Sequence, residues 1–99
     1  MSLFVVHHQH PAEACPAGNP EMAPMLLRQL SPENTRQYGI TIHGEAVVDD
    51  AHALYLIAEA PAQAALEQFM APFAQVGSVE VLPASPCETV IERGGCAAS

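Results

Sequence analysis

Two alternating runs joined by a four-residue turn tie this chain to a β-sheet. Ile40 to Val48 (Ile-Thr-Ile-His-Gly-Glu-Ala-Val-Val) switches side at each residue, and Ala53 to Ala60 (Ala-Leu-Tyr-Leu-Ile-Ala-Glu-Ala) is a second strand-like run. Asp49-Asp50-Ala51-His52 between them has room only for a turn, so the two runs should form a hairpin.

The rest of the chain has to cover that hairpin. Ser2 to His8 is rich in β-branched and aromatic residues and reads as a first strand. Pro11, Pro16 and Gly18 impose a loop after it. Asn19-Pro20-Glu21 has the N-cap, first-position proline and acidic first turn of a helix start, with Met22, Met25, Leu26 and Leu30 on one face. Ser31-Pro32-Glu33 restarts a short helical turn that Gly39 should stop. Pro61 opens another helix, where Leu66, Phe69, Met70 and Phe73 fall at i, i+3, i+4 and i+7, and Pro72 should end or distort it near Met70. Val79-Glu80-Val81-Leu82 reads as a fourth strand. Residues 84–99 form a tail, in which Cys87 to Glu92 could add a short fifth strand.

The resulting order, β-α-β-β-α-β in one domain spanning residues 1–99 with its core at about 2–83, is that of an α+β, ferredoxin-like sandwich. It predicts an antiparallel four-stranded sheet with two helices on one face. Over roughly residues 2–83, in element order and in runs such as Leu54-Tyr55-Leu56-Ile57-Ala58-Glu59-Ala60, the chain resembles small bacterial domains of the dimeric α+β barrel superfamily. The resemblance implies two copies packed sheet against sheet. It also implies a choice of activities, because that superfamily includes cofactor-independent oxygenases and isomerases alongside members that bind haem or a metal.

Composition narrows the partners. Eleven carboxylates face three arginines, and there is no lysine, so the net charge of −8 disfavours nucleic acid and anionic membranes and favours cations. An apolar fraction of 49% with only 14% charged residues is more than one small monomer readily buries, which also points to a homodimer. No stretch resembles a signal peptide or a membrane span. Three cysteines, an odd number, then suggest reduced thiols in a cytoplasmic protein.

His7, His8, His10 and Cys15 crowd the end of the first strand. Alternation puts Phe4, Val6, His8 and His10 on one side and Leu3, Val5 and His7 on the other. In the second strand Ile40, Ile42, Gly44 and Ala46 should face the helices, leaving Thr41, His43, Glu45 and Val47 opposite. In the third, Tyr55, Ile57 and Glu59 join that opposite side. One pocket containing His8, His10, His43, Glu45, Tyr55 and Glu59 is then expected where a second copy closes the sheet.

His8-x-His10 can bring two imidazoles to one ion, and Cys15 can swing back as a thiolate; mixed nitrogen and sulfur ligation favours nickel, copper or zinc. His43 and Cys87 are the next ligands expected, with His52 in the turn and Cys96 in the tail behind them. The leading expectation is a transition-metal handling, sensing or buffering protein that uses His8, His10, Cys15, His43 and Cys87. Two alternatives stand beside it. The same pocket could serve a cofactor-independent oxygenase or isomerase, with His43 or His8 as general base and Tyr55 or Glu59 orienting a small molecule, the catalytic residues otherwise unassigned. The apolar sheet face could instead belong to a non-catalytic interaction module.

Overall fold

The computed structural model describes residues 1–15 and 18–96. Four strands, β1 (Ser2–Gln9), β2 (Thr41–Val48), β3 (Ala53–Ala60) and β4 (Ser78–Ala84), form one open sheet in the order β2-β3-β1-β4. Every neighbouring pair is antiparallel. The β2–β3 hairpin closes through a single 3-10 turn, Asp49–Ala51.

The two expected helical regions are present, each broken in two by a proline. The first consists of α1 (Ala23–Gln29) and α2 (Pro32–Gln37). Asn19 caps a turn ahead of α1, its Oδ1 accepting from the Glu21 amide at 2.9 Å, and Ser31 caps α2, its hydroxyl accepting from the Asn34 amide at 3.4 Å. Gly39 follows α2 at φ +72°, the left-handed stop that glycine adopts without cost. The second region consists of α3 (Gln63–Phe69) and α4 (Ala71–Ala74), hinged at Met70, with Pro72 at the start of α4 where its missing N–H costs nothing.

Both regions cover one face of the sheet. Phe4 and Val6 of β1, Leu54, Leu56, Ala58 and Ala60 of β3, and Val81 of β4 pack there against Leu66, Phe69, Met70 and Phe73. Leu56, Leu66 and Phe69 are fully buried, each contributing about 1.5–3 kcal/mol of transfer free energy. The other face, with Leu3, Val5, His7, Tyr55, Ile57 and Leu82, keeps Tyr55, Ile57 and Leu82 exposed.

Two expectations are corrected. The tail does not add a fifth strand: Cys87–Glu92 is a helix, α5. Pro86 sets its entry with a fixed φ of −60°, Glu88 lies in its first turn, and Arg93 closes its end by donating to the carbonyls of Gly95 and Cys96. The β-branched run Thr89-Val90-Ile91 suggested a strand, but β4 carries Pro83, which removes a ladder donor from the edge such a strand would use. The second correction concerns β2. Its register slips between Ile42 and Gly44, a bulge at His43, so Glu45 and Val47 pair with Leu56 and Leu54 while Gly44 and Ala46 pair with Ile57 and Tyr55. Beyond the bulge each side chain lies on the face opposite to the one simple alternation gives.

Candidate metal centre

The histidines at the end of β1 divide between the two faces of the sheet. His7 lies on the open face, where its ring stacks on Tyr55 with centroids 4.7 Å apart and its Nδ1 donates to Glu80 Oε1 at 3.3 Å. His43 is on that face too, its Nε2 donating to Glu59 Oε1 at 2.6 Å. His8 is beneath the helices, 2% exposed, with the edge of Phe73 against its ring. The expected single pocket therefore does not exist: His8 and His10 belong to the helix side, while His43, Tyr55 and Glu59 belong to the other.

What gathers on the helix side is a different set. One donor atom each from His10, Cys15 and His52 lies within 4.8 Å of the others. The ligands of a tetrahedral zinc ion stand about 3.3–3.6 Å apart, as follows from its bond lengths, so a closure of about 1 Å would complete three corners. Cys15 is reached because the loop after β1 turns back through a short 3-10 helix, Ala12–Ala14. His52 is reached because the β1–β3 register, which pairs Gln9 with Ala53, brings His10 opposite His52 at the next step. The His10 amide donates to the His52 carbonyl at 3.2 Å, and the two rings cross at 5.3 Å.

His52 holds φ 50° and ψ 46°, the left-handed region that a non-glycine residue occupies at a cost of about 1–3 kcal/mol. His52 lines a pocket of about 210 Å³ together with His8, His10, Cys15, Asp49 and the apolar side chains Leu26, Val47, Leu54 and Phe73. His10, one of the residues lining it, has its Nε2 buried with no hydrogen-bond partner among the described residues. A buried nitrogen left unpaired costs about 1–3 kcal/mol, which a ligand at that atom would recover.

Burial pushes the His8 pKa below the ordinary histidine value of 6.5; the Ser78 carbonyl opposes this, and His10 and His7 add to it. Burial, then His52, lowers that of His10 in the same way. Both imidazoles are accordingly neutral at pH 7, the form that ligates metals. The consequence for stability follows from linkage. The unfolded chain takes these protons more readily than the native one, so the stabilisation is complete above about pH 6.5 and is lost as pH falls through the lowered native values. The urea midpoint should fall between about pH 7.5 and about pH 5.5, and fall less in His8→Phe. Equal midpoints at the two pH values in the unsubstituted protein would contradict this.

Of the other residues expected to bind, Cys87 is exposed at the start of α5, and Cys96 is exposed beyond its end. Neither joins a cluster of three His, Cys, Asp or Glu donors among the described residues. His52 is the member of this cluster that sequence reasoning ranked too low. The turn residues Asp49-Asp50-Ala51 marked it as turn chemistry, and its placement opposite His10 follows from strand order, which composition does not give.

These features define a small α+β domain whose four-stranded antiparallel sheet carries a His/Cys/His group under its helices. The chain belongs to the family described as a domain of unknown function, DUF3303, whose model matches residues 2–95. No curated protein and no solved structure matches it. Among the described residues no helix is long and apolar enough to cross a membrane.

Proposed function

We propose that this chain binds a late transition metal, zinc, copper or nickel, through His10, Cys15 and His52, in order to handle or sense the ion. Two observations carry this reading: one donor atom each from His10, Cys15 and His52 lies within 4.8 Å of the others, and His10 Nε2 is buried without a hydrogen-bond partner among the described residues. Two imidazoles and a thiolate suit those ions and exclude magnesium and calcium as preferred guests. Three protein ligands leave one position of a tetrahedral ion for an exchangeable group, as a protein that passes its metal on requires. Reduced, untagged, metal-free protein titrated with zinc against a chromophoric chelator should take up one ion per chain. Cys15→Ser should lose that uptake, while Cys87→Ser and His43→Ala should keep it. Uptake that survives Cys15→Ser but fails in Cys87→Ser would refute the assignment.

The fold supports a finer description, a ferredoxin-like split βαβ arrangement in which β1 lies between β3 and β4. We further propose a homodimer formed through the open sheet face. Its central row, Val5, Ile57 and Leu82, is apolar and partly or fully exposed, and His7–Glu80 and His43–Glu59 flank it. A self-complementary surface, with an apolar row flanked by hydrogen-bonding groups, suits pairing with its own two-fold copy. Sedimentation equilibrium should give a dimer that Ile57→Arg converts to a folded monomer, since Ile57 is exposed on the face away from the core. A monomeric unsubstituted protein at high concentration would contradict this.

One observation favours a second reading. The 2.6 Å contact of His43 with Glu59 is the geometry of a base held by a carboxylate, on the face that a second copy would enclose. It suits acid-base chemistry on a small organic molecule without a cofactor. Loss of such turnover in His43→Ala with zinc affinity unchanged would separate it from the metal site.

A further inference from the structure

We propose that His8 is the positioning residue of the metal site: anchored on the Ser78 carbonyl, it fixes which nitrogen His10 presents to Cys15 and His52. The inference rests on the metal reading and adds to it the origin of the ligand's orientation. His8 Nδ1 lies 3.1 Å from the Ser78 carbonyl oxygen, and His8 Nε2 lies 3.4 Å from His10 Nδ1. A carbonyl only accepts, so His8 Nδ1 carries the proton and donates it. In a neutral imidazole the other nitrogen is then a bare acceptor. His10 Nδ1 must supply the hydrogen that His8 Nε2 accepts, which leaves His10 Nε2 without a proton. That atom is the buried nitrogen with no partner.

The direction of every hydrogen in this chain is thus set from the backbone outward, and it ends in a lone pair at the site. Metal-bound histidines commonly donate their second N–H to a carboxylate, a carbonyl or water, which fixes the tautomer and the ring angle. Here an imidazole takes that place and is itself tied to a strand. Its own ring cannot turn freely, because it is nearly inaccessible to solvent and Phe73 meets it edge-on at 5.2 Å and 65°. The anchor is equally fixed. Gly77, just before β4, passes so close to β1 that a Cβ would overlap the Gln9 carbonyl oxygen, so only glycine allows Ser78 to approach His8 this closely. His7, one residue earlier and on the other face, takes no part in the chain of bonds.

Two measurements test the proposal. Nitrogen-15 spectra of the histidine rings in the intact, reduced, metal-free protein at neutral pH should show the Nδ1–H tautomer for both His8 and His10, with the His8 proton slow to exchange. His10 protonated on Nε2 would overturn the positioning role whether or not zinc binds. In zinc titrations His8→Phe, which fills the volume without an acceptor, should weaken binding by about 10- to 100-fold. His8→Gln, whose side-chain oxygen can accept from His10 Nδ1, should recover most of that loss. Equal zinc affinity in His8→Phe and the unsubstituted protein would also overturn it. Failure of the unsubstituted protein to bind zinc would instead remove the metal reading, and the tautomer spectra would still report on the hydrogen-bonded chain.

Discussion

Zinc affinity should drop by more than about 100-fold in His10→Ala, beyond the 10- to 100-fold expected for losing a residue behind the ligands. His10 is the donor whose position depends least on loop conformation. It follows β1 directly, its amide is tied to the His52 carbonyl at 3.2 Å, and its ring contacts both His8 and His52. Removing it leaves one imidazole and one thiolate, too few to hold an ion against water. The fold should survive the change, because the ring is only partly buried: the substitution deletes a nitrogen that had no protein partner, and the one bond it breaks, His10 Nδ1 to His8 Nε2, costs about 1–3 kcal/mol. The checks are competition with a chromophoric chelator and far-ultraviolet circular dichroism on the same sample. Unchanged affinity in a folded His10→Ala protein would refute the site.

Phe69→Ala should destabilise the domain by about 3–5 kcal/mol. The side chain is fully buried at the end of α3, among the residues that pack on β1 and β3, and it meets the ring of Tyr38 edge-on at 5.4 Å. Truncation removes its transfer free energy and leaves a cavity that Leu66 and Met70, both already fully buried, can fill only in part. For a domain of this size each kcal/mol moves the melting point by about 4–8 °C, so the expected fall is at least about 12 °C. A shift of only a degree or two would mean that the helices do not pack on the sheet as described. Because Phe69 is absent from the residues lining the pocket at His10, Cys15 and His52, zinc affinity of the folded fraction should be unchanged.

Much of the architecture was legible in local chemistry. The Asp49-Asp50-Ala51-His52 turn required the β2–β3 hairpin, Asn19 and Ser31 marked the helical starts, and Pro72 marked the break at Met70. Alternation also sorted β1 and β3 correctly, separating His7 from His8 and Tyr55 from Leu56. It failed in β2, because one extra residue at His43 reverses every later side chain, and a bulge depends on pairing rather than on composition. Gly44, a glycine inside a strand, was the available signal for it.

The site was half legible. His10 and Cys15 were found because histidine and cysteine density is visible in one dimension. The β1 side that carries His8 and His10 was placed with His43 and Tyr55 where a second copy would close the sheet, because alternation separates the two sides of a strand without saying which one the helices cover. In the structure His8 is buried because Ser78 satisfies it. His52 was underrated because it comes into register with His10 only once β3 lies beside β1, a long-range fact. Cys87 fell out for the converse reason: the helix after Pro86 holds it on an exposed surface, outside the cluster.

The most direct measurement of the central claim is the absorption spectrum of the cobalt(II)-loaded protein, reduced and untagged, because cobalt reports both its geometry and a bound thiolate. The expected result is one cobalt per chain with intense bands of a four-coordinate ion and a thiolate-to-cobalt charge-transfer band. Cys15→Ser should abolish that band, His10→Ala and His52→Ala should each weaken cobalt binding, and His43→Ala and Cys87→Ser should leave the spectrum unchanged. Weak octahedral bands with no thiolate contribution, or a thiolate band that survives in Cys15→Ser, would contradict a metal centre at His10, Cys15 and His52.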